Sequence, residues 1–334
     1  MKIVQALFNW CKRIVRFFRW FPKKILIRPK FSSSFIQYWY CQSWSYDRWV
    51  AEFRMLQTIG IHEIILQSVA DTKSNYAVYQ TKMNGYSSNS VDMLETALTA
   101  ADSMAMNVRI GLGFNDDWWS IERQDEIWLN NEAEVNSLIV TEIMMMYGKH
   151  QSLVGWYIPY EFNFFMALTH DQQANLNQFF LKIAATIKLT SIKSIMIAPY
   201  YNALLSGPVT LAIWANSVRH VLKDTKIDII ALQDSIGAGF NKLGDLDEVY
   251  VSTKKAANEI GLILYAVTET FGGNEIKTLP ASQRQINKQL FRVSPYVSGF
   301  VAFSISHYQN GNESNQLNGY KDYYHYYLKA SSKQ

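Results

Sequence analysis

The chain has 334 residues, and 49% of them are apolar, enough for a large buried core. Its net charge of +4 is local: residues 1–30 hold nine Lys and Arg and no acid, leaving 23 basic against 28 acidic residues, about −5, in the remainder. The body is mildly acidic, which leaves no basic patch for nucleic acid. The two cysteines, Cys11 and Cys41, make no disulfide framework, and no Cys/His spacing suggests zinc.

Residues 2–24 form a basic amphipathic pattern. On a helix, Ile3, Val4, Leu7, Phe8, Trp10, Cys11, Ile14, Val15, Phe17, Phe18 and Phe21 fall on one half. Lys2, Lys12, Arg13, Arg16, Arg19, Lys23 and Lys24 fall on the other. Such a helix lies in a membrane interface and is drawn to anionic lipid. A targeting peptide and a helix packed on the body are the competing readings. The uncharged stretch Ile3–Cys11 is short for a signal h-region, and no A-x-A-like site follows it. The expected division is therefore a basic segment, 1–30, and a second domain, 31–334. A membrane-associated or exported location fits better than a cytoplasmic one.

After Lys30 strand-like and helix-like runs alternate. The expected strands are 33–40, 61–69, 107–114, 153–161, 194–200, 226–234, 262–270 and 298–306. Most are continuous apolar runs rich in Ile, Val and aromatics, as in strands of a parallel sheet buried on both faces. The expected helices are 46–59, 91–105, 132–149, 170–189, 209–223, 246–260, 281–293 and 318–330. Ser90 is a candidate N-cap, Thr169 with Gln172 reads as a capping box, and Gly261 is a helix-terminating residue. Eight strand-helix units predict an α/β fold, a (β/α)8 TIM barrel. A doubly wound open sheet is the alternative, but no G-x-G-x-x-G or P-loop follows any strand; Gly237-Ala238-Gly239 lacks the remaining glycine and a phosphate-binding Lys. Long polar loops at 71–89 and 308–317 fall on the active face of such a barrel.

The strand ends gather Gln37, Trp39, Gln67, Asn115, Trp118, Trp119, Asn163, Tyr200, Tyr201, Gln233, Asp234, Phe271 and His307. Acids and amides hydrogen-bond hydroxyl groups, and aromatics stack on sugar faces. These thirteen are the candidate substrate-binding residues. The Trp118-Trp119 pair fits a lid buried against the barrel as well as it fits sugar stacking. Phosphate would want Lys, Arg or a Gly-rich turn. A metal would want clustered histidines, whereas His62, His150, His170, His220, His307 and His325 are scattered. No cofactor or metal is expected. Glu161 and Glu269 end the fourth and seventh strands, on opposite sides of a barrel mouth. Glycoside cleavage needs this pairing: one carboxyl protonates the leaving oxygen, and the other works from the sugar's far side, about 5–5.5 Å away in retaining enzymes. An oligo- or polysaccharide is the expected substrate. The alternative is a carbohydrate-binding barrel without catalysis, associated with polysaccharide assembly or export.

Trp156-Tyr157-Ile158-Pro159-Tyr160-Glu161 resembles the fourth-strand signature of the family called domain of unknown function 4434, whose members look like TIM-barrel glycosidases. Phe35-Ile36-Gln37, Ile65-Leu66-Gln67, Ala198-Pro199-Tyr200 and Ala231-Leu232-Gln233-Asp234 resemble its other strand ends. More distantly, the arrangement is similar to the large retaining glycosidase clan. That resemblance implies Glu161 as acid/base and Glu269 as nucleophile. The clan usually has Asn before the acid/base, and here the residue is Tyr160. The sugar 2-hydroxyl contact is then missing or made by another residue such as Asn163.

Overall fold

A computed structural model describes residues 28–120, 125–207, 210–274 and 277–332. The expected N-terminal helix over residues 2–24 lies outside the described residues. Eight strands, β1 (Ser33–Ile36), β2 (Glu63–Leu66), β3 (Asn107–Gly111), β4 (Leu153–Ile158), β5 (Ser194–Ile197), β6 (Ile229–Gln233), β7 (Ile263–Glu269) and β8 (Gly299–Phe303), close into one barrel. All neighbours pair in parallel, and β8 returns to β1. Outside run α1 (Tyr46–Thr58), α2 (Met93–Met104), α3 (Glu126–Tyr147), α4 (His170–Thr190), α5 (Leu211–Leu222), α6 (Leu246–Glu259), α7 (Gln283–Val293) and α8 (Leu317–Ser331). The fold is the expected (β/α)8 barrel.

Side chains alternate along each strand, so the strands feed two separate cores. One set, including Ile64, Leu66, Val108, Ile110, Trp156, Ile158, Ile230 and Leu232, packs outward under the helices. The other set fills the barrel: Phe35, Ile65, Tyr157, Met196, Ala198, Ile229, Ala231, Val267 and Val301. The interior is therefore solid, and anything that binds must sit above it. Below this apolar layer lies a polar one. Arg109 Nε donates to Glu63 Oε1 at 2.7 Å, and its Nη1 donates to the Ser194 carbonyl at 3.1 Å. Gly155, its register partner on β4, leaves the space: a Cβ there would sit 2.2 Å from Nη1.

Local sequence explains most element ends. Thr169 and Gln172 form the expected capping box on α4. Gly261 takes a left-handed φ of +75° after α6, a conformation that favours glycine. Three expectations need correction. The N-cap of α2 is Asp92, which accepts from the Glu95 amide, rather than Ser90. Helix α3 starts at Glu126, six residues earlier than expected, because Asp125 caps it. Residues Tyr38–Cys41 form a helical turn instead of extending β1. An aromatic run does not distinguish strand from buried turn, and here Tyr40 stacks on His307 at 4.6 Å. The 71–89 loop is also more ordered than a plain loop. Short strands at Ala70–Asp71, Tyr76–Ala77 and Ser87–Ser88 join Gly113–Phe114 in a small sheet over the barrel mouth.

The Arg109–Glu63 pair gives a stability test. Arg109→Leu strands a partly buried carboxylate and should cost about 3 kcal/mol in urea unfolding. Adding Glu63→Leu should recover much of it. A loss under about 1 kcal/mol for the single change would mean that the pair contributes little.

Candidate active site

The alternation that fills the barrel also aims the residues above it. Inward-facing positions two residues apart run Phe35 to Gln37, Ile65 to Gln67, Ala231 to Gln233 and Val267 to Glu269. On β4 the same step from Tyr157 leads through Pro159 to Glu161. A ring of three amides and two carboxyls thus stands on the apolar plug.

Glu161 has few stabilising partners. Tyr157 Oη, rising from the plug, donates to its Oε1 at 3.2 Å, and Gln233 adds a side-chain hydrogen bond. Burial pushes its carboxyl up to about 7; those two hydrogen bonds oppose the rise, and the Glu269 carboxylate adds to it. The two groups therefore act on each other across the mouth. Glu269 is only 4% exposed. Burial raises it to about 7 as well, against backbone hydrogen bonds from Ala238 and Gly237. The Ala238 amide donates to its Oε2 at 2.7 Å. Gly237 allows that approach, since a Cβ there would lie 2.5 Å from the Phe271 carbonyl oxygen and 3.0 Å from Glu269 Oε2. Two amide donors favour the ionised form of Glu269. Glu161 has only neutral side-chain donors.

Beside Glu161 lies a cavity of 410 Å³, lined by Gln37, Trp39, Gln67, Asp71, Trp119 and Glu161 among others. Trp39 and Trp119 stand at 56% and 51% exposure, flat and free to stack. The Gln67 Oε1 is buried without a hydrogen-bond partner among the described residues. Asp71 and Asp116 line the cavity and no Lys or Arg does; Lys73 pairs with Asp116 at 3.0 Å and Asp117 at 2.9 Å. Around the mouth Trp119 meets Tyr200 at 6.4 Å, Tyr200 stacks on Phe240 at 5.6 Å, and Phe271 meets Tyr308 at 5.1 Å. Asn163 holds the Tyr200 hydroxyl at 2.7 Å and caps the turn at Phe165. His307 accepts from the Gln37 amide at 3.2 Å, and burial lowers it to about 4, so it is neutral near pH 7.

Four of the expected ligand contacts are instead inside the protein. Trp118 is fully buried; its indole N–H donates to the Glu161 carbonyl at 2.9 Å, so it holds the strand end and faces no ligand. Asn115 spends its side chain on Glu132 and the Asp117 amide. The buried Tyr201 hydroxyl is bonded to the Gly207 carbonyl at 3.0 Å and to Thr210. Asp234 is fully buried, accepting from the Ile236 and Glu269 amides and from Gln289 Nε2 at 2.9 Å. Burial and the nearby Glu269 hold its carboxyl well above the usual range.

Tyr160 is also internal. Its hydroxyl donates to Glu132 at 2.6 Å, and Thr72 and Asn115 donate to the same carboxylate. It fixes the backbone next to Glu161 and does not reach the cavity. Sequence reading missed the parts played by Tyr157, Gly237, Ala238 and Gln289. Gly237-Ala238-Gly239 was visible as a glycine-containing turn, but its partner is 31 residues away. Among the described residues no group of three His, Cys, Asp or Glu could hold a metal ion.

The model of the family described as Domain of unknown function (DUF4434) matches residues 31–316. The chain belongs to that family. No curated protein matches this DUF4434 chain. Among solved structures it is similar to a candidate alpha-L-fucosidase from Bacteroides thetaiotaomicron, with 21% identity, TM-score 0.75, and coverage of 91% of this chain and 95% of that one. It is similar to a GH113 beta-1,4-mannanase at 10% identity and TM-score 0.54, covering 89% and 98% of the two chains. The PgaB (BpsB) glycoside hydrolase domain from Bordetella bronchiseptica gives 8%, TM-score 0.54 and coverage of 87% and 98%. At these identities the likeness is one of fold.

Desolvation of the carboxyls makes a prediction for the DUF4434 barrel itself. Glu269 holds its proton more tightly folded than unfolded, so its contribution is stabilising below 4.5 and is lost as pH rises through about 7. The span from 4.5 to about 7 corresponds to about 3 kcal/mol. Glu269→Gln should therefore raise stability by up to about 3 kcal/mol at pH 8 and leave it unchanged at pH 4. Urea unfolding at both pH values checks this; equal effects at the two would show that the group is not desolvated.

Proposed function

We propose that this DUF4434 protein is a glycoside hydrolase in which Glu161 is the general acid/base and Glu269 the nucleophile, with retention of configuration. One observation carries the reading: two desolvated carboxyls, just beyond the end of β4 and at the end of β7, stand above a plugged barrel, and the charge of Glu269 is felt at Glu161. Burying such groups costs stability, and a purely binding site has no need of that cost. Their surroundings suit different roles. Glu161, short of donors for its charge, keeps a proton near neutral pH and can give it to a leaving oxygen. Glu269, held by the Ala238 and Gly237 amides, is the better carboxylate and can attack the anomeric carbon. After the leaving group departs, Glu161 as carboxylate takes a proton from water, and that water hydrolyses the glycosyl ester.

Gln37, Gln67 and Gln233 offer donors and acceptors to sugar hydroxyls, while Trp39, Trp119, Tyr200 and Phe271 supply apolar faces. Asn163 and His307 support Tyr200 and Gln37 from behind. The unpartnered Gln67 Oε1 has an acceptor to give to a substrate hydroxyl. Acidic walls suit a carbohydrate without carboxylate or sulfate groups. The glycosidase descriptions of similarly folded proteins support the reaction class. The basic amphipathic sequence 2–24 suits an anchor on an anionic membrane.

The test is a panel of neutral and anionic oligosaccharides, followed by reducing ends and by binding. Glu161→Gln and Glu269→Gln should each lower hydrolysis by about a thousandfold or more while glycan binding persists. Retained hydrolysis in both variants overturns the assignment. Binding with no hydrolysis by the wild type favours the non-catalytic barrel. The wild-type pH profile of kcat/KM should be a narrow bell, falling above about 7 as the acid loses its proton and below about 7 as the nucleophile gains one. Trp39→Ala and Trp119→Ala should raise KM more than they lower kcat.

A further inference from the structure

The end of the barrel opposite the candidate site carries an unusual corner. Loops that precede strands lie at this floor, away from the mouth. Ile192, in the loop before β5, is 99% exposed, and Leu189, near the end of α4, is 87% exposed. They are the two most exposed large apolar side chains among the described residues. Met145, near the end of α3, and Ile263, the first residue of β7, are exposed at the same end.

Basic residues surround these apolar tips. Lys149 precedes β4, Lys193 precedes β5, and Lys223 and Lys226 precede β6. The acids of this corner are mostly matched: Asp228 with Lys188 at 2.8 Å and Glu259 with Arg219 at 2.9 Å. Asp224 stands exposed beside the lysines with no ion pair among the described residues. The corner is positive on a body that is about −5 as a whole. Lysines do favour helix C-termini, where carbonyls point outward. That accounts for some of the charge but leaves Ile192 and Leu189 without purpose.

We infer that this floor corner docks on the surface of a membrane containing anionic lipid, with Ile192 and Leu189 entering the headgroup layer and the lysines facing its charge. Apolar tips set in a basic ring match both layers of such an interface. A second copy of the chain fits worse, because like charges would meet. The chain also enters the described structure at this end: Phe31 donates its amide to the Tyr323 hydroxyl, and Tyr326 donates to the Pro29 carbonyl, just before β1. Docking in this pose turns the candidate site away from the bilayer. The inference stands apart from the glycosidase reading and uses none of its residues.

The full chain is sedimented with phosphatidylcholine vesicles with and without phosphatidylglycerol, across a salt series. Wild type should bind only the anionic vesicles, and less so as salt rises. Leu189→Ser/Ile192→Ser and Lys193→Glu/Lys223→Glu should each weaken binding by about tenfold or more. Arg284→Glu/Lys288→Glu, on exposed positions of α7, should leave it unchanged. Circular dichroism checks that each variant is folded. Floor variants that bind like wild type overturn the inference, as does equal weakening by the α7 variant or no binding by wild type at low salt. A vesicle-free change of oligomeric state confined to the floor variants would assign the corner to a second copy instead.

Discussion

The packed interior of the barrel is the constraint on which the rest depends. Parallel strands of period two send every second side chain inward, and Phe35, Ile65, Tyr157, Ala231 and Val267 close the space. The next inward position on each of these strands then has no room below it. Whatever occupies it stands on an apolar floor, partly cut off from water. Gln37, Gln67, Gln233, Glu161 and Glu269 are those occupants. Their chemistry follows from the plug as much as from their identity, because desolvation is the first cause of both raised carboxyls.

Support for that ring is distributed widely through the chain. The end of β4 is fixed twice: Trp118 holds the Glu161 carbonyl, and Tyr160 is tied to Glu132 on α3. The end of β7 is fixed by Asp234, which takes its backbone amide, and by Gln289 on α7, which takes its carbonyl. Buried, directed hydrogen bonds of this kind hold a strand end more rigidly than exposed loops do. Barrel floor and mouth thereby divide the labour: packing and the Arg109–Glu63 pair below, directed polar groups above.

Much of this was legible in the residues. Apolar runs at regular spacing gave eight strands, and Thr169 and Gly261 marked helix ends by side-chain chemistry that acts within a few residues. Glu161 and Glu269 could be placed at strand ends because strand order alone decides that. Direction was harder to read. Trp118 and Trp119 are adjacent and identical in type, yet one is buried and the other stands at the cavity rim. Which is which depends on Tyr160 and Phe179, which pack on Trp118 from other elements. The role of Gly237 and Ala238 was invisible for the same reason, since a backbone amide carries no sequence signature until its acceptor is known. Asp234 and Tyr201 look like ligand contacts by position but are consumed by long-range hydrogen bonds.

The account turns on one electrostatic statement: Glu161 and Glu269 are both desolvated, and the charge of Glu269 is felt at Glu161. Carbon-13 NMR of the side-chain carboxyls, assigned through the two Glu→Gln variants, reads this directly. The account predicts that both titrate near 7 in the wild type, and that Glu161 shifts downward when Glu269 is made neutral. Two independent titrations near the ordinary value of 4.5, unmoved by either substitution, would contradict it.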